Sequence, residues 1–181
     1  MFMNYQTVLD FWFNPENKAF WFAKSEEFDQ KIAEQFLKTL EQAAQCELFT
    51  WRDTAHGRLA EIIVLDQFSR NLYRENAKSF AQDPLALALA QEAIQLGLDN
   101  QLEAQERSFL YMPFMHSESK IIHAEALQLF EKLGNPINLD FEKKHKVIID
   151  RFGRYPHRNH ILGRDSTEEE LEFLKQPNSS F

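Results

Sequence analysis

Residues 83–97 read DPLALALAQEAIQLG, and this stretch decides the fold class. Asp83 followed by Pro84 is a helix-start signal: a capping acid, then a proline at the first helical position, where no N–H is needed. Leu85, Leu89 and Leu96 follow among Ala, Gln and Glu, all good helix formers. Gly97 stands where a left-handed residue ends a helix. The segment carries its own start, its own apolar positions and its own stop.

Outward from it the same grammar repeats. Tyr5 to Phe13 predicts a short helix stopped by Asn14-Pro15. Ser25 predicts an N-cap with Glu26 and Glu27 in the first turn, and Phe28, Ile32, Phe36 and Leu40 form a stripe running to about Gln45. A third helix starts near Asp53 or Thr54, with Leu59, Ile62 and Ile63 on one face. Glu103 to Met112 reads as helix, kinked or ended by Pro113. Lys120 to Leu133 follows, closed by Gly134. Leu139 to Phe152 is next, with Phe141, Ile148 and Phe152 inward and Gly153 as its stop. Ser166 and Glu169 form a capping box for a last helix carrying Leu171 and Leu174.

Strands have little to be built from. Valine occurs only at Val8, Val64 and Val147, and the 5 glycines and 6 prolines are too few for a turn-rich sheet protein. The expectation is an all-α chain of seven to eight helices, with residues 1–181 forming one domain. No linker suits a domain boundary, and no fixed-period repeat is present.

Bulk properties exclude several function classes. A chain of 181 residues can bury a sizeable core without staples. The single cysteine, Cys46, excludes an intrachain disulfide framework and a Cys-rich zinc site. A net charge of −8 argues against a nucleic-acid surface. The aliphatic run 62–65 is far short of the ~20 residues that span a bilayer, and the N-terminus lacks a basic targeting region. No membrane association and a cytoplasmic location are therefore expected.

Chemistry concentrates in three places. In LDQFSRN, Asp66 and Arg70 continue an apolar stripe where core residues belong, spaced to pair with each other; Asn71 follows. They read either as a structural ion pair or as part of a site, and both readings require partners for a buried carboxylate. In FLYMPFMHSES, His116, Ser117 and Glu118 follow Pro113. In RFGRYPHRNHILGR, Arg151, Arg154, Arg158 and Arg164 stand with His157, Asn159 and His160 and no acid, so the window is +4. Guanidinium forks suit carboxylate or phosphate, and Pro156 suggests a short helix whose first N–H groups would face an anion. The bland alternative is a basic strip neutralised by the acidic remainder. HSES and HRNH are not HExxH, so neither a metal nor another cofactor is expected. A Ser117 nucleophile lacks the GxSxG elbow. The two FWF runs, 11–13 and 20–22, read as interior packing in preference to a partner surface.

VLDFWF, LDQFSRNLYR, DPLALALAQEAI, FLYMPFMHSES, RFGRYPHRNHILGR and the closing STEEELEFL together resemble a bacterial family catalogued as domain of unknown function 924, over nearly the whole chain. That resemblance implies an all-α fold similar to tetratricopeptide-type helical arrays and implies no activity.

Three functions follow as hypotheses. The first is a pocket for a small carboxylate or phosphate ligand, formed by Asp66, Arg70, Asn71, His116, Glu118, Arg151, Arg154, His157, Arg158 and Asn159. The second is an enzyme at the same place, with His116 or His157 as general acid–base and Asp66 as orienting partner. The third is a peptide-binding scaffold on a concave helical face. The three motifs are expected to meet in space, with Asp66 reaching an Arg or His of another motif.

Overall fold

A computed structural model describes residues 3–180, among which there is no strand. Eight helices are present among those residues: α1 Tyr5–Trp12, α2 Glu26–Ala44, α3 beginning as Ala55–Ile63, α4 Asp83–Gln95, α5 Ala104–Met115, α6 Lys120–Leu133, α7 Pro136–Phe152 and α8 Glu168–Phe173. α3 does not stop at Ile63. It widens through a π turn at Val64–Phe68 and resumes as Ser69–Leu72. Single 3₁₀ turns occupy several of the links.

The starts follow side-chain chemistry. Ser25 accepts the Phe28 N–H and Thr54 accepts the Gly57 N–H, fixing the first turns of α2 and α3. Gly134 and Gly153 end α6 and α7 in the left-handed conformation.

Five local expectations are corrected. Asp83 is not a cap: it is the first helical residue, and its carboxylate lies on arginines from elsewhere. Pro113 does not end α5, which runs on to Met115. A proline removes only its own donor, and the following N–H groups still bond, His116 to Met112 O at 3.0 Å and Ser117 to Phe114 O at 3.2 Å. α7 starts at Pro136, three residues before the expected Leu139, because Asn135 caps Ile137 and Asn138. The last capping box is Thr167 with Glu170, one residue later than Ser166 with Glu169. Ser166 accepts from Asn159 instead. That slip turns Leu171 outward and Glu170 inward. Phe141, expected inside, is also exposed.

α3 is the axis of the core. Leu59, Ala60, Ile62, Ile63, Val64, Leu65 and Phe68 are all buried, so its apolar surface runs round the helix and not along one stripe. α1, α2, α4 and α5 pack around it, while α5, α6 and α7 pack on their chain neighbours. An aromatic layer joins Trp12 to Phe28, Phe68 and Phe109, and Phe11 to Phe28 and Phe36. Of the FWF residues, Trp12 is buried, Phe11, Phe13, Phe20 and Trp21 are half-buried against the core, and Phe22 is 72% exposed, so the interior-packing expectation holds only in part. Among the described residues, no helix is long and apolar enough to cross a membrane.

Candidate functional site

The π turn sets the site. Widening one turn of a helix re-aims its side chains, and such turns recur where function needs an unusual presentation. Asp66 is the central residue of this one and is fully buried. Its Oδ1 accepts from His116 Nδ1 at 2.7 Å and from Arg70 Nη1 at 3.3 Å, and its Oδ2 accepts from Gln67 Nε2 at 2.7 Å.

Arg70 carries the network onward. Its guanidinium donates to both Asp83 oxygens, at 2.8 and 3.0 Å, and to the Asp66 carbonyl at 2.9 Å. Arg158 reaches Asp83 Oδ2 at 3.3 Å and donates to the His116 carbonyl at 3.0 Å. The circuit closes: Asp66, His116, Arg158, Asp83, Arg70 and back to Asp66. It joins the middle of α3, the end of α5, the turn at 156–158 and the first residue of α4. Phe80 and Tyr155 stack on the Arg158 guanidinium, their ring centres 4.4 and 4.6 Å away.

With His116 neutral, two carboxylates balance two guanidiniums. That balance is what lets four ionisable side chains sit this deep. Burial alone would raise the Asp66 carboxyl, but the Arg70 charge and the hydrogen bonds from His116 and Gln67 hold it below the ordinary carboxylate value. Burial lowers His116 below the ordinary imidazole value and the Arg70 charge adds to it, against the pull of Asp66. A neutral ring beside an ionised carboxylate donates from Nδ1 and keeps its lone pair on Nε2. Nε2 has no hydrogen-bond partner among the described residues, and the His116 side chain retains 16% exposure.

The motifs thus meet as expected, and the structure brings Asp66, Arg70, His116 and Arg158 into one circuit. Glu118 lies two residues beyond His116, accepting the Tyr155 N–H at 2.7 Å and both forks of Arg164 at 2.7 and 2.9 Å. Asn159 stands a step further, on Ser166, Glu170 and Arg164. His157 packs beside Tyr155, its ring lowered to about 4 by burial and by the charge of Arg158.

Three residues are elsewhere. Asn71 bonds Asp29 at 2.8 Å, next to the Arg74–Asp29 pair. Arg151 pairs with Glu169 and Arg154 with both oxygens of Glu170. The Arg-rich window has no acid of its own, but acids at 83, 118, 169 and 170 fold onto it. Pro156 does open a helical turn, of only three residues, and the Arg158 N–H expected to face an anion donates to Tyr155 O.

Asp83, Phe80, Gln67 and Tyr155 complete the site without having been read from sequence. Asp83 had a sufficient local explanation as a helix start, which hid its long-range one. Among the described residues no group of three His, Cys, Asp or Glu is arranged to hold a metal ion. A cleft of about 550 Å³, lined by residues including Tyr5, Asp10, Phe13, His56 and Glu106, shares no residue with the circuit.

Residues 8–178 match the family described as "Bacterial protein of unknown function (DUF924)". The chain belongs to that family. A solved structure of a protein of unknown function from Agrobacterium tumefaciens is similar to this DUF924 chain, at 37% identity with a TM-score of 0.90, covering 94% of this chain and 96% of that one. No curated protein matches the chain.

Proposed function

We propose that the chain is an enzyme that uses His116 Nε2 as a general base on a small, uncharged polar substrate. One observation carries this reading: Asp66 fixes His116 through Nδ1 at 2.7 Å, and Nε2 has no hydrogen-bond partner among the described residues, in a side chain that keeps 16% exposure. A buried carboxylate that orients an imidazole and stabilises its protonated form is the standard support of an acid–base histidine. The lowered basicity of the ring keeps it unprotonated near neutral pH, as a base must be.

Charge balance speaks to the substrate. Arg70 and Arg158 already face Asp83, and Arg151, Arg154 and Arg164 each face a glutamate. An anionic ligand would have to displace an internal carboxylate from its bidentate arginine, at the cost of leaving that carboxylate unpaired. This weighs against the carboxylate- or phosphate-binding pocket and for a neutral ester, amide or alcohol.

The test is turnover of a panel of neutral esters, lactones, amides and carbonyl compounds by wild type and by His116→Gln. Wild type should exceed the buffer rate on at least one class, and the variant should lose about 10²–10⁴-fold. Equal rates for both proteins across the panel would refute the reading.

A further inference from the structure

α5 ends differently from the two helices that follow it. α6 and α7 stop at left-handed glycines, whereas α5 stops at His116 itself, with φ −83°. The last carbonyls of a helix have no intrahelical donor and need partners from elsewhere. Here three successive carbonyls each receive a buried side chain. Tyr155 Oη donates to Met115 O at 2.5 Å, Arg158 Nη2 donates to His116 O at 3.0 Å, and His123 Nε2 donates to Ser117 O at 2.8 Å.

Each donor is itself held. The Tyr155 N–H is fixed by Glu118, and the hydroxyl lies 3.1 Å from His123 Nε2. Arg158 is fixed by Asp83 and stacked on by Phe80 and Tyr155. His123 Nδ1 lies 2.8 Å from Glu142 Oε1, both residues being completely buried. Because a carbonyl only accepts, Nε2 carries the hydrogen that reaches Ser117, and the Glu142 contact holds the ring in that orientation.

We propose that Tyr155, Arg158 and His123 form a positioning clamp that fixes the backbone on either side of His116 and so holds its ring on Asp66. The inference rests on reading His116 as the base: α6 and α7 end at a glycine, whereas three side chains from other parts of the chain converge on the carbonyls flanking His116. A side chain at an unclamped helix terminus would share the fraying of that terminus, and a misplacement near 1 Å costs a general base much of its effect. The clamp residues touch no reacting atom; they act through the backbone.

Nitrogen-15 NMR of the His116 ring tests this separately from turnover, since it reads ring state in the absence of any substrate. In wild type the Nδ1–H tautomer should predominate. Tyr155→Phe deletes one hydroxyl and keeps the stacked ring; it should mix the tautomers and lower the His116 titration midpoint by about 0.5 or more, because a buried ring that leaves Asp66 loses the contact that pulls its midpoint up. Tyr111→Phe, which removes a 2.6 Å bond to Asp99 that the clamp does not share, should leave His116 unchanged. Should Tyr155→Phe fail to fold, Arg158→Lys serves the same comparison, since it keeps a cation near Asp83 and loses the fork that also reaches His116 O. A folded Tyr155→Phe or Arg158→Lys protein with a wild-type His116 tautomer and midpoint overturns the clamp, whatever the substrate panel shows. A displaced His116 in a protein with no turnover on any substrate would retain the clamp and remove the enzyme.

Discussion

Asp83 accepts two hydrogen bonds from Arg70, and this one carboxylate also holds Arg158, 75 residues away in sequence. An acid in the first turn of a helix contributes ~0.3–1 kcal/mol through the helix dipole. An acid that neutralises two largely buried guanidiniums contributes through a different mechanism, and its loss leaves Arg158 without a carboxylate partner in the circuit.

Asp83→Ala should therefore destabilise the fold by ~3–5 kcal/mol, measured as the fall in unfolding free energy in urea. Asp83→Asn should recover part of that loss, because it restores acceptor geometry without the charge. A loss below ~1 kcal/mol for Asp83→Ala would return the residue to its role as a helix-start acid.

Acid should weaken the fold well above the carboxylate range. Burial lowers His157 to about 4 and His145 to about 3, against 6.5 when unfolded, and lowers His116 as well. A base with a depressed folded value stays neutral in the native state while the unfolded chain takes up the proton. Its stabilisation is complete above pH 6.5 and is lost as pH falls from there toward the folded value. From pH 6.5 to 5 that loss is ~2 kcal/mol for each of His145 and His157. Asp66, lowered to about 2, extends the same direction below pH 4. Glu142, raised by burial, acts the other way. The urea midpoint should drop clearly between pH 7 and pH 5, and His145→Phe should reduce that drop. Equal midpoints at the two pH values would contradict the neutral, buried state of these rings.

The parts of this fold that sequence made legible are those governed by neighbours in the chain. Ser25, Thr54, Gly134 and Gly153 act within a few residues of themselves, and each took its expected place. Asp66 was legible as an anomaly because an apolar stripe gave it a background to break. The π turn that buries it was not, since α3 is apolar all round and the phase shift of about 100° that one inserted residue causes leaves no visible break in such a pattern. Asp83 shows the opposite failure: a local role accounted for it fully, so nothing prompted a search for distant arginines. The arginines of 151–164 admit two readings in sequence, an anion site or a strip neutralised by acids elsewhere, and charge counted along a window cannot choose between them because it omits the acids that packing brings to it. Asp83, Glu118, Glu169 and Glu170 are those acids.

That last point decides what phosphate should do. Arg154 donates to both oxygens of Glu170 and to the Asp165 carbonyl, and Arg164 forks onto Glu118. Phosphate could win either arginine only by releasing a carboxylate already bound bidentate in place, with no gain in the number of charge-assisted bonds. The −8 net charge opposes the approach of an anion as well. A specific site would add ~2.7 kcal/mol at a hundredfold excess over Kd. Thermal melts in phosphate and in chloride at matched ionic strength should instead differ only by a smooth, non-saturating increment, because phosphate is excluded from protein surface generally. Arg154→Gln should show the same increment as wild type, starting from a lower melting temperature owing to the unpaired Glu170. A saturable rise with phosphate that disappears in Arg154→Gln would restore the arginine segment as an anion site, and would shift the substrate of the His116 centre from neutral to anionic.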